Sequence, residues 1–104
     1  MPPSPDHIRE AMRTYAKAMC DDDVETVMSL YADEASVEDP VGAPPISGRE
    51  ALRRFYAAAL PRLRVEITGP IRVAGSECAM PMVAEITTGE GKRYIDVIDV
   101  MKFD

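Results

Sequence analysis

The chain has 104 residues, 46% of them hydrophobic and 29% charged, which suits one globular domain with a single core. Twelve Lys and Arg against eighteen Asp and Glu leave a net charge of -6. So acidic a surface repels phosphate backbones and anionic lipid, which argues against nucleic-acid and membrane-surface roles. The longest unbroken apolar run, Phe55 to Leu60, falls far short of the ~20 residues of a membrane span. The start, Met1-Pro2-Pro3-Ser4-Pro5-Asp6, has neither the basic nor the apolar segment of a signal peptide. Cys20 and Cys78 make neither a disulfide framework nor a metal-ligand spacing, so a reducing cytoplasm is the expected compartment. His7 is the single histidine. It is expected on an exposed first helical turn, and a catalytic triad or multi-histidine metal site is not expected around it.

The first half has helical spacing. Ser4-Pro5 predicts an N-cap followed by proline at the first helical position. Ile8, Met12, Tyr15 and Met19 then fall on one stripe. Asp21-Asp22-Asp23 stops this helix and offers caps for a second, whose apolar face is Val24, Val27, Met28 and Tyr31. An extended piece from Ala35 to Asp39 ends at Pro40, which disfavours helix before it. Val41 to Ile46 is predicted as a loop, and Ser47-Gly48-Arg49-Glu50 as a capping box. Leu52, Phe55, Tyr56 and Ala59 mark a third helix that Pro61 closes.

After Pro61 the period changes to two. Leu63, Val65 and Ile67 alternate with charges, Gly69-Pro70 turns the chain, and Ile71 and Val73 resume the pattern. Cys78 to Thr88 is a strand expected to be interrupted or bulged at Pro81. Gly89-Glu90-Gly91 signals a hairpin into a long strand over Arg93 to Phe103. Helices followed by hairpin-connected strands predict an α+β fold, with three N-terminal helices packed on a curved, mostly antiparallel sheet.

Three features carry possible chemistry. On the last strand, positions 95, 97, 99, 101 and 103 are Ile, Val, Asp, Met and Phe, so alternation turns Asp99 into an apolar environment. An unpaired carboxylate there costs several kcal/mol and favours its protonated form, a hydrogen-bond donor that an oxyanion can use. The alternatives are an exposed face or a basic partner. Tyr15, Tyr31 and Tyr56 each lie on a predicted helix stripe; their hydroxyls either bond one another or reach solvent. Asp39, before Pro40 and a Gly/Pro-rich loop, is either a turn residue or a general base in a partly apolar mouth. Asp21 to Asp23 lacks the spacing of a calcium loop, Gly89-Glu90-Gly91 lacks the context of a nucleotide loop, and the seven methionines suit core filling.

Tyr31 to Gly42, with the string Val37-Glu38-Asp39-Pro40-Val41-Gly42, resembles the bacterial Δ5-3-ketosteroid isomerase family. So do Gly48-Arg49-Glu50 with Phe55-Tyr56, Thr68-Gly69-Pro70, Ala79-Met80-Pro81 and Asp96 to Phe103. The resemblance implies a nuclear-transport-factor-like (SnoaL-like) cone and places Asp39 as general base. It places Tyr15 and Asp99 as oxyanion donors, with Tyr31 and Tyr56 bonded behind the catalytic phenol. It further implies a pocket formed by Val37, Phe55, Met80, Met82, Val97 and Met101, where Met82 replaces an aromatic residue of the family. A small apolar steroid substrate, no cofactor, no metal and a homodimer formed through the sheet complete what the resemblance implies.

The family continues beyond the position of Phe103-Asp104 into a further strand. Residues 1–104 are therefore expected to form one domain lacking that strand, with an unpaired edge on Arg93–Phe103. Two other readings share this fold: a non-catalytic module that binds an apolar ligand or dimerises, and a SnoaL-like cyclase or hydrolase.

Overall fold

The structure, a computed structural model, describes residues 3–104. Helix α1 (Pro5–Cys20) begins where local chemistry places it. The Ser4 hydroxyl accepts from the His7 backbone N–H at 3.1 Å, and Pro5 occupies the first turn, where its missing N–H leaves nothing unpaired. The Ile8, Met12, Tyr15 and Met19 stripe is buried, as its spacing predicts, and His7 is exposed. Asp22, with φ 54, turns the chain, and Asp23 caps α2 (Val24–Ser29) by accepting from the Thr26 N–H at 3.1 Å.

Helix α2 is shorter than its apolar pattern suggests. It ends at Ser29, so Tyr31 lies beyond the helix and not on its stripe. The next segment also departs from expectation. Strand β1 (Ser36–Val37) pairs antiparallel with β2 (Ile46–Ser47), so the end of the supposed 41–46 loop is strand. That pairing removes Ser47 from the capping position. Gly48, at φ 89, becomes the N-cap of α3 (Arg49–Ala59), and no side-chain cap forms. The capping box fails because a ladder partner, Ser36, holds Ser47 upstream of the helix.

A 3-10 turn over Leu60–Arg62 contains Pro61 and leads into β3 (Leu63–Ile67). Strands β4 (Arg72–Ala74), β5 (Glu77–Thr88) and β6 (Gly91–Lys102) follow. Strand β5 is central: β3 and β4 pair in succession along one edge and β6 along the other, all antiparallel. The β5–β6 hairpin closes at Thr88 opposite Gly91, whose φ of 116 suits glycine. Among the described residues β6 is bonded to β5 alone, which leaves its outer edge unpaired.

Pro81 does not interrupt β5. Its register with Ile98 is continuous, and its carbonyl accepts from the Thr68 N–H at 3.0 Å. In an antiparallel ladder a residue's N–H and C=O point to the same side. The missing N–H of Pro81 therefore faces Thr68, one residue past β3, so the bond it cannot make falls at the end of that ladder and not within it. Gly69 belongs to this arrangement, because a Cβ there would lie 3.2 Å from the Pro81 ring.

The helices cover one face of the sheet, an α+β arrangement, and the core lies between the layers. Ile8, Val27, Met28, Leu52, Leu60 and Met80 are its fully buried side chains. Polar bonds pin α1 to the sheet: the Cys20 Sγ donates to the Val65 carbonyl at 3.2 Å and accepts from its N–H at 3.3 Å. Near the other end, the Arg9 Nε donates to the Ile71 carbonyl at 3.2 Å. Among the described residues no helix is long and apolar enough to cross a membrane. Leu52→Ala, at a site with 0% exposure, is expected to cost about 2–5 kcal/mol in urea unfolding. Val41→Ala, at 91% exposure, should stay within about 0.5 kcal/mol of the parent.

Candidate active site

The sequence leaves open where the three phenols send their hydroxyls; the fold answers it. Tyr15 from α1 lies 2.9 Å, hydroxyl to hydroxyl, from Tyr56 of α3. Tyr56 in turn lies 2.5 Å from the hydroxyl of Tyr31. The Tyr15 and Tyr56 rings meet edge to face, with centroids 6.2 Å apart, and Phe55 packs edge-on against Tyr56 at 5.1 Å. Tyr15 and Tyr56 are buried and Tyr31 is half-buried, so the chain runs from the core toward the surface. Burial raises the Tyr15 pKa well above its ordinary value, and the neighbouring Tyr56, Tyr31 and Asp99 add to the effect. Burial also raises Tyr56 and Tyr31, although hydrogen bonding to Tyr56 pulls Tyr31 partly back. All three are neutral phenols at physiological pH.

Asp99 faces the helix layer from β6. It sits opposite the fully buried Met80, with Val97 and Met101 flanking it on the same face. Its carboxyl is raised from 3.8 to about 6, first by burial and second by the Asp39 carboxylate, and no basic side chain pulls it down. The apolar face expected from alternation is therefore present, but it is shallower than the alternation suggests. Asp99 is only half-buried and Ile95 is 48% exposed. With a midpoint of about 6, about one molecule in ten carries the proton at pH 7. Asp96, on the opposite face, is exposed.

Asp39 is exposed on the segment following β1 and precedes Pro40 through a cis peptide bond. It acts electrostatically on both Asp99 and Tyr31, so the three groups share one neighbourhood. A cavity of about 790 Å³ opens between α1, the α2–β1 connection and the end of β6. Its volume is within the range of small-molecule sites. Tyr15, Tyr31, Asp33, Met101, Lys102 and Phe103 are among its lining residues. Asp39, Asp99, Tyr56, Val37, Phe55, Met80, Met82 and Val97 are outside its lining. Met80 and Met82 are core residues, whereas Val37, Phe55 and Val97 pack partly buried against that core. Among the described residues no three His, Cys, Asp or Glu side chains gather as a metal site requires.

One contact is not apparent from periodicity. Arg49, the first residue of α3, donates from Nη1 to the Tyr31 carbonyl at 2.9 Å and from Nη2 to the Met28 carbonyl at 3.1 Å. Apart from its place in the Gly48-Arg49-Glu50 string, its sequence signal is a cation at a helix N-terminus, where the helix dipole disfavours it.

The raised Asp99 carboxyl has a consequence for stability. Its folded pKa exceeds the unfolded value, so folding binds a proton between about pH 4 and 6, and this contribution is lost as pH rises through that window. A displacement from 3.8 to about 6 corresponds to at most about 3 kcal/mol. Water at the half-exposed carboxyl reduces it to about 1 kcal/mol. Asp99→Asn is therefore expected to gain about 1 kcal/mol over the parent at pH 7. That advantage should shrink toward pH 4, as measured by denaturant melts across pH.

Comparison with known proteins agrees with this architecture. Residues 12–104 match the SnoaL-like domain. A protein named steroid Delta-isomerase from Nocardioides simplex is 33% identical over 98 residues, covering 93% of this chain and 79% of that protein. With helices on one face of an antiparallel sheet and a family match over nearly its whole length, this chain belongs to the SnoaL-like domain family.

Proposed function

We propose that this protein is a steroid Δ-isomerase that moves the double bond of a 3-oxo-Δ5-steroid to Δ4 by proton transfer through a dienolate. One observation carries the reading. A phenol chain ends at Tyr15 in the core, and the Asp99 carboxyl, raised first by burial, stands on the helix-facing side of the sheet opposite Met80. Two donors and one base are the groups that an enolisation requires.

In this mechanism Tyr31 donates to Tyr56, and Tyr56 to Tyr15, which leaves the Tyr15 proton free for substrate. Asp39 removes a proton from C4 of the steroid, and charge collects on O3. Tyr15 and protonated Asp99 donate to that oxygen, each bond strengthening as the charge grows. Asp39 then returns the proton to C6. Neither metal nor cofactor is needed for this shuttle. A steroid lying over Asp99 completes its desolvation and favours the protonated acid further. The half-exposed acid, mostly ionised at pH 7 in the free protein, favours a second reading. In it Asp99 serves as the base of another SnoaL-like enzyme, a cyclase or hydrolase.

The name of the relative supports the steroid substrate. We place the protein in the cytoplasm as a homodimer. The exposed Tyr94, Ile98 and Val100 on the outer face of β6 form the surface for a second copy. A monomer by sedimentation equilibrium at micromolar concentration would remove that assignment.

The decisive assay follows the ultraviolet absorbance of the conjugated enone formed from 5-androstene-3,17-dione. Asp39→Asn is expected to lose about 10²–10⁴ in turnover, and Tyr15→Phe about 10²–10³. Because the acid form of Asp99 donates, kcat/KM should fall as pH rises above about 6. The corresponding limb in kcat should lie at higher pH, and Asp99→Asn should remove both. Tight steroid binding without turnover would instead leave a binding module. An activity that rises through pH 6 would favour the second reading.

A further inference from the structure

Helix α3 grips Tyr31 at two points. Tyr56, seven residues and two turns along from Arg49, takes its hydroxyl. Arg49 takes its backbone carbonyl and reaches back to that of Met28. The Tyr31 N–H itself donates to the Met28 carbonyl at 3.2 Å, so the guanidinium fork spans the turn that carries the chain out of α2. Arg49 is misplaced for its own helix, whose N-terminus is the positive end, but well placed for the exposed carbonyls at the end of α2. Asp33 stands 3.8 Å from Nη1 on the far side. We infer that Arg49 is a positioning residue: by clamping the Leu30–Asp33 turn it sets the Tyr31 hydroxyl against Tyr56, and through Tyr56 it orients the Tyr15 proton.

Geometry separates this role from ordinary helix docking. Arg53, one turn further along α3, also reaches α2, where it pairs with Glu25 at the surface. That pair touches the start of α2 and no tyrosine, whereas Arg49 holds the turn bearing Tyr31. The same turn also walls the cavity through Leu30, Tyr31, Ala32 and Asp33. Arg49 is 37% exposed at its side chain, yet both its hydrogen bonds go to backbone. Lysine presents its donors from one point and not from a planar fork, so it matches this pair of carbonyls less well.

The catalytic consequence rests on the isomerase reading, whereas the structural part does not, so the test has two arms. In the resting protein without ligand, the downfield hydroxyl-proton resonances of the tyrosine chain are recorded by NMR. Arg49→Gln is expected to shift or broaden the Tyr31–Tyr56 resonance, Arg49→Lys to do so less, and Arg53→Gln to leave it in place. In the enone assay, Arg49→Gln should lower kcat about 10-fold, the effect of a sub-ångström misplacement, with KM within about 2-fold. If Arg49→Gln fails to fold, Arg49→Lys carries the comparison. The inference is overturned if the resonance ignores Arg49→Gln, or follows Arg53→Gln as strongly. It is also overturned if Arg49→Lys matches the parent, because charge alone would then suffice. A parent chain that leaves the steroid unchanged would sink the isomerase reading, while the resonances would still decide the role of Arg49.

Discussion

Three phenol groups carried into a water-poor interior must find hydrogen-bond partners, and in this protein they find one another. An unsatisfied buried hydroxyl costs about 1–3 kcal/mol, so the Tyr15–Tyr56–Tyr31 chain constrains much of the fold around it. It joins the middle of α1, the third turn of α3 and the turn after α2. Further contacts hold two of those elements. Cys20 and Arg9 fix α1 on the sheet, and Arg49 fixes the turn after α2. A displacement of any one breaks a bond in the chain, because hydroxyl contacts of 2.5 and 2.9 Å tolerate little slack.

Opposite this network stands a single acid on the sheet. Two effects act on Asp99 in the same direction: partial burial removes water from the ionised form, and the Asp39 carboxylate repels it. No guanidinium or ammonium opposes them, which distinguishes Asp99 from the exposed carboxylates that pair along the helices, such as Glu50 with Arg54. The degree of water access decides how far the acid is pushed. A carboxyl at the half-exposed edge of the apolar face responds to whatever covers it, because removing its remaining water disfavours the ionised form further. The SnoaL-like fold supplies the scaffold for this pairing of phenols and acids, but it hosts more than one chemistry. Function on this fold is therefore set by these side chains and not by the architecture.

The polar contacts between elements explain why the site can be stiff in so small a chain. The Arg49 fork converts the open carbonyls at the end of a six-residue helix into a fixed turn. The Cys20 Sγ performs a similar task with Val65, giving and accepting one bond each. Pro81 stays within the central strand because the donor it lacks is due only at the end of the β3 ladder. Arg49 and Cys20 each bond backbone groups outside the regular ladders of their partner elements.

Local periodicity was enough to place α1, α3, the strand alternation and the Gly89–Glu90 hairpin, because burying one stripe or one face imposes a period on the chain itself. It also put Tyr15 on a buried stripe and Asp99 on an apolar face, since both follow from the repeat of a single element. Tyr31, Ser47 and Pro81 were misplaced by the same reasoning, for their environments depend on partners distant in sequence: the end of α2, the β1–β2 pairing and the end of the β3 ladder. The phenol chain, the two-carbonyl grip of Arg49 and the depth at which Asp99 stops are likewise properties of assembled layers. Hydrogen-bond distances and water access are set between elements, and no single element carries them.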